Sequence, residues 1–377
     1  MDKKVQDILS KMTLEDKISL CNGADFWHSK AMAQYGIPAV TMSDGPHGVR
    51  CQKNGADMLG VNESEPATCF PTAVTSGATW DAELLKAEGQ AIGEEGLSYG
   101  VDVVLGPGVN IKRNPLCGRN FEYFSEDPYL SGKLAASYVR GIQSNDIAAC
   151  PKHFAVNSQE LRRMASDSVV DERTLRELYL TGFEIVVKEA HPKTIMSSYN
   201  LVNGTYANEN AHLLQDILRR DWGFDGAVVT DWGGSNDHAL GVKNGSTLEM
   251  PAPGGDAVRE LLKAVETGKI SESDVDARLD ELLTLVLDTH AAVENHSRSF
   301  DADAHHALAR RAAAESAVLL KNDGDLLPLA AGASVAVIGD FAETPRYQGA
   351  GSSAVNSIKV DTFLDCLKDS GLHSVGF

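Results

Sequence analysis

The run Gly226-Ala-Val-Val-Thr-Asp-Trp-Gly-Gly234 carries the sharpest chemical signal in the chain. Ala227, Val228 and Val229 predict a short buried strand, and it ends abruptly in the carboxylate of Asp231, an indole and two glycines. A carboxylate at the tip of a core strand is costly unless it is satisfied or used. A helix cap or a salt-bridged turn would satisfy it, and covalent or acid–base chemistry would use it. Four earlier apolar runs end the same way. Met42 is followed by Ser43-Asp44-Gly-Pro-His-Gly-Val-Arg50, and Leu105 by a glycine-rich stretch leading to Arg119. Ala149 is followed by Cys150-Pro-Lys152-His153, and Met196 by Ser197-Ser-Tyr199-Asn200. Alone, each polar residue is an ordinary loop residue. Five strand ends in succession form a set.

That set suits a neutral polyol. Asp44 can accept two sugar hydroxyls while Lys152, His153 and an arginine donate to others. Trp232 offers a flat apolar face to the C–H side of a pyranose. No P-loop and no HExxH or other metal-ligand spacing is present, so acid–base or covalent chemistry without a metal or cofactor is expected. Six scattered cysteines give no zinc signature and read as reduced thiols.

These residues need a frame. Candidate strands at 39–42, 101–105, 147–149, 194–196 and 227–229 alternate with helices at about 81–98, 128–145, 171–190, 209–221 and 255–267. Asp81 and Asp171 are expected N-caps and Gly223 a helix stop. The rhythm predicts an α/β fold with a parallel sheet under helices, and its length fits a (β/α)8 TIM-like barrel of about 250 residues or more. An open doubly wound sheet shares that rhythm. Apolar periodicity lapses over 289–301, and a second α/β unit then starts with a helix from Ala304 and a strand at 334–338. The expected organisation is a barrel over 1–290, a linker over 291–304 and a partial α/β sandwich over 305–377. So few strands would leave one apolar face open, which a homodimer or a complementary C-terminal chain is expected to cover.

The net charge of −19 argues against nucleic acid and anionic membranes as partners. The N-terminal segment is charged and amphipathic, without an export signal, which together with the thiols predicts a cytoplasmic protein.

The same segments resemble glycoside hydrolase family 3, β-glucosidase-like branch. The matching pieces are Ser43–Arg50, Gly106–Arg113, Pro115–Pro128, Lys152–Glu160, Met196–Asn200, Val229–Gly233 and Leu248–Pro251, in family order. Past the linker, Glu315–Leu329 and Tyr347–Ser353 resemble the opening of the family's second domain. The resemblance implies a retaining exo-β-glycosidase acting on a β-glucoside or gluco-oligosaccharide, with Asp231 as nucleophile. Asp44, Arg119, Lys152, His153, Arg163 and Tyr199 would hold the sugar, and Trp232 and Glu249 would line the pocket. The family's acid/base glutamate comes from a later part of the second domain, which implies that it lies outside this chain. A truncated chain, a cleavage product, half of a split enzyme or an inactive sugar-binding fragment all fit that departure. Another branch carries a His-Asp dyad after Lys-His-Phe-Pro-Gly-His. Lys152-His-Phe-Ala-Val-Asn157 lacks it, which excludes the hexosaminidase reading. A nucleotide-binding reading rests only on Val337-Ile-Gly339 and Gly349-Ala-Gly351, which do not form G-x-G-x-x-G after a strand.

Overall fold

The computed structural model describes residues 2–377 except Asn54, Met58, Gly60 and Ser297. The strands Met42–Asp44, Val103–Leu105 and Ala148–Ala149 pair in parallel in that order, and Thr194–Met196 pairs in parallel with Ala227–Val229. Met196 N donates to Pro151 O at 3.0 Å and Phe154 N to Met196 O at 2.8 Å, which joins the two sets. On the other side, Thr230 N donates to Leu248 O, Glu249 N to Cys21 O and Gly23 N to Glu249 O. Ser29 N donates to Val40 O and Met42 N to Trp27 O, so the ring closes on itself. The result is the expected TIM-like barrel rather than an open sheet. Around Ser29 and His28 its wall runs antiparallel to both neighbours.

Side-chain alternation sorts the strand residues into two apolar sets, as a period of two requires. Met42, Val103, Leu105, Ala148, Cys150, Met196, Ala227, Val229, Leu248 and Met250 pack together. Val104, Ala149, Ile195 and Val228 instead pack with helix residues such as Leu134, Phe183 and Leu214. Asp44 at its strand end, and Lys152 and Asp231 just past theirs, continue the parity of the first set. That parity carries them to one end of the barrel.

The covering helices start where side-chain oxygens can cap them. Asp81 accepts from Glu83 N and Leu84 N ahead of the helix Ala82–Ser98. Asp127 caps Pro128–Gln143, with proline at the tolerated first turn, and Asp171 accepts from Thr174 N. Gly223 adopts φ +76°, ending the helix before it. The predicted helix at 171–190 is broken into Glu172–Thr174, a π-helical turn Leu175–Tyr179 and Thr181–Ala190, and the one at 209–221 is π-helical over His212–Asp221.

The helix Glu272–Asn295 runs past the point where apolar periodicity lapses. Thr289 is buried there and its hydroxyl donates to Asp102 at 3.2 Å, so a polar contact keeps the last turns in place. Ala302–Glu315 docks onto the barrel through His305, whose Nδ1 lies 2.7 Å from Glu95. Beyond it, Ser334–Ala336 pairs with His373–Gly376 in a small parallel sheet. Around this sheet Val318, Leu320, Ile338 and Phe341 are exposed. The segment 348–358 returns to the barrel, with Ala67 N donating to Asn356 O, Ile358 N to Ala67 O and Arg50 Nη1 to Ser352 O. No helix among the described residues is long and apolar enough to cross a membrane.

Candidate active site

Trp27, Asp44, Leu105, Arg119, Lys152, His153, Met196, Asp231, Trp232 and Ser352 line one cleft at the polar end of the barrel. Six of the nine residues expected from the sequence therefore meet there. They come from four strand ends or the loops after them, with Lys152 and His153 sharing one and Asp231 and Trp232 another.

Asp231 is buried, and its Oδ1 accepts from Trp232 N at 2.8 Å. Its Oδ2 has no hydrogen-bond partner among the described residues and lies 3.6 Å from His153 Nε2. Burial pushes the carboxyl above its ordinary range, against the pull of Arg119, Lys152 and Arg163. An unpaired carboxylate oxygen ringed by cations is the arrangement a carboxylate nucleophile needs.

The cations are themselves held. Lys152 Nζ lies 2.9 Å from Asp44 Oδ1, both side chains nearly fully buried. Burial opposes both charges, yet the Lys152 ammonium holds Asp44 below the usual carboxylate range, and Asp44 and Glu122 hold Lys152 above its own. Arg119 is ion-paired through Nε to Glu122, and its Nη2 donates to His153 Nε2 at 2.9 Å. A guanidinium can only donate, so Nε2 accepts and the ring proton sits on Nδ1, facing Tyr123 Oη at 3.1 Å. Burial, Arg119, Lys152 and Arg163 together hold His153 well below its ordinary pKa. His153 is a neutral spacer beside Asp231.

Arg163 and Tyr199 do not line the cleft, but they reach residues beside it. The Arg163 guanidinium packs 4.3 Å from the centre of the Tyr199 ring, and its Nη1 pairs with Glu160 at 2.8 Å. Tyr199 Oη donates to Trp232 O at 2.8 Å, fixing the backbone next to Asp231. The Trp232 indole donates to Phe26 O, and its ring centroid lies 5.3 Å from that of Trp27. Two indoles thus form one wall.

Glu249 departs from expectation. It has opposite parity to Leu248 and Met250, which are buried in the barrel, and it does not line the cleft. Its Oε2 lies 3.3 Å from His238 Nδ1 instead. Burial raises the Glu249 carboxyl to about 7 and lowers His238 to about 4. Sequence reasoning missed Trp27, Tyr123 and Ser352. Tyr123 lay within a quoted motif and could have been found by its neighbours. Ser352 arrives from the second unit, and no spacing rule places it beside Asp44.

The comparisons with known proteins agree with this fold. Residues 24–285 match the glycosyl hydrolase family 3 N terminal domain, and residues 317–372 match the C-terminal domain of the same family. The thermostable beta-glucosidase B of Acetivibrio thermocellus is 49% identical over 97% of this chain and 48% of its own length. The exo-alpha-(1->6)-L-arabinopyranosidase of Bifidobacterium longum is 44% identical over 99% of this chain and 50% of its own. The structure of beta-glucosidase 3B from Thermotoga neapolitana in complex with alpha-D-glucose superposes with a TM-score of 0.92 at 37% identity, covering 99% of this chain and 55% of that one. The chain therefore spans about half the length of the relatives it matches. A barrel with a carboxylate cleft at its polar end, sequence matches over both units and a shared structure lead to one conclusion: the chain belongs to glycosyl hydrolase family 3.

Proposed function

We propose that this chain carries the nucleophile half of a retaining exo-β-glycosidase that removes terminal non-reducing β-D-glucosyl residues. The unpaired Oδ2 of Asp231, aimed into a cleft of buried cations, is the observation that carries this reading. Asp231 Oδ2 attacks the anomeric carbon and the bond to the leaving oxygen breaks, the aglycone taking up a proton. Water then attacks the same carbon, loses a proton and releases the Asp231 carboxylate, so two inversions give retention. Asp44, Lys152, Arg119, His153, Arg163 and Tyr199 bind and orient the sugar hydroxyls, while Trp232 with Trp27 packs against its C–H face. The names of the glucosidase relatives favour a gluco-configured substrate.

The proton donor is assigned to a glutamate outside these residues. Asp44 is held ionised by Lys152, and Glu122 and Glu160 are committed to arginines. The relatives are about twice as long as the matched segment, which supports this assignment. In this reading the barrel is the unit over residues 1–290 and the second domain opens near 305. The exposed apolar side chains around the small sheet are covered by a complementary C-terminal segment or by a second copy. Free thiols at all six cysteines support a cytoplasmic location.

Two aryl β-glucosides test the proposal, one whose leaving group needs protonation and one whose does not. The 377-residue chain should turn over only the activated substrate, and azide should accelerate that turnover. No turnover of either substrate would overturn the reading.

A further inference from the structure

The chain that follows Lys152 and His153 builds a second polar cleft. That cleft encloses about 440 Å³ and is lined by Arg113, Ser158, Gln159, Asp167, Asp171 and Tyr179 among others. This volume falls within the range of small-molecule sites, roughly 300–1,000 Å³. All of its lining residues lie within the N-terminal domain match, so the barrel unit builds it unaided. The link between the clefts is short: Glu160, next to Ser158 and Gln159 of the second cleft, reaches Arg119 of the first at 3.9 Å.

Two groups in the second cleft, one buried and one exposed, have no hydrogen-bond partner among the described residues. Ser158 is only 6% exposed, and its hydroxyl has no hydrogen-bond partner among the described residues. Buried polar groups are rarely left unpaired unless a ligand or water completes them. The Arg113 guanidinium also makes no hydrogen bond or ion pair among the described residues. Asp171 keeps Oδ1 and Oδ2 on the Thr174 backbone and hydroxyl, and Asp167 Oδ1 accepts from Gly204 N, which leaves further lone pairs on both.

We propose that this cleft is a second saccharide-binding site for a neutral sugar unit. One arginine against two carboxylates disfavours anions. The mixture of donors, acceptors and one aromatic ring repeats that of the first cleft, where Lys152, Arg119, Asp44 and Trp232 play the same parts. Arg113, Ser158 and Gln159 donate to hydroxyls, Asp167 and Asp171 accept from them, and the Tyr179 ring faces the apolar side of the sugar.

Calorimetric titration of the full chain carrying Asp231→Asn with cellobiose tests this without turnover. Two separable binding events are expected. Arg113→Ala, which removes no side-chain hydrogen bond or ion pair among the described residues, should weaken one event by about 10-fold or more and spare the other, as loss of a charge-assisted hydrogen bond does. Lys152→Met should have the reverse selectivity. A single event abolished by Lys152→Met, or two events both indifferent to Arg113→Ala, would overturn the second site and leave the first intact. Loss of the Lys152-dependent event alone, with the Arg113-dependent one present, would instead count against the proposed activity.

Discussion

Oδ2 of Asp231 lies 3.6 Å from Nε2 of His153, and that nitrogen already accepts from Arg119. His153 therefore has no proton to share with the carboxylate. Its neutral ring links Arg119 to Asp231 and leaves Oδ2 without a hydrogen-bond partner among the described residues.

Replacing Asp231 separates stability from activity. Burial holds the folded-state carboxyl above its ordinary value, so the ionised form weakens the fold as pH rises through that raised value. Asp231→Asn should lower turnover of an activated aryl glucoside by about 10⁴-fold or more while keeping or raising Tm at neutral pH. Kinetics and thermal melts on the same preparation check both halves.

The Lys152–Asp44 pair should respond in the opposite sense. Lys152→Met leaves a buried carboxylate without its counter-ion, an effect of about 3 kcal/mol or more on unfolding. Adding Asp44→Asn should recover most of that loss, because the stranded charge is gone. Urea denaturation of the single and double variants measures the coupling. Equal stability of the two variants would contradict it.

Glu249 gives a pH signature outside the cleft. Its carboxyl is raised from 4.5 to about 7 by burial, so its stabilising contribution is complete below 4.5 and is lost as pH rises through 7. His238, lowered to about 4, stays neutral over that window. Across it the wild-type chain should lose Tm relative to Glu249→Gln. Parallel melting curves over that pH range would show the gap closing and reversing.

The barrel's helix packing depends on two glycines. A Cβ on Gly141 would overlap the Lys86 carbonyl, and one on Gly89 would overlap the Tyr138 carbonyl, so the helices Ala82–Ser98 and Pro128–Gln143 cross at backbone contact. Gly141→Ala should cost about 1–3 kcal/mol by overpacking, read as a lower urea midpoint.

These contrasts also show what the sequence makes legible. Strands 194–196 and 227–229 and the caps Asp81 and Asp171 were readable because each is a local decision of apolar runs and capping oxygens. Asp44, Lys152 and Asp231 were readable because parity along a strand continues past its end. The same parity argument, applied to Leu248-Glu249-Met250, would have turned Glu249 away from the cleft. The contribution of Ser352 was not legible, because a tertiary return of the chain places it. The helix Glu272–Asn295 was not among the expected helices, and its last turns, anchored by the polar Thr289, fall where apolar periodicity lapses.

Mass spectrometry of the intact chain and its peptides, after incubation with an activated 2-deoxy-2-fluoro-β-glucoside, tests the central claim most directly. The account predicts one added fluoroglucosyl group, mapped to Asp231 and absent from Asp231→Asn. Labelling at another residue, or labelling that survives Asp231→Asn, would contradict it.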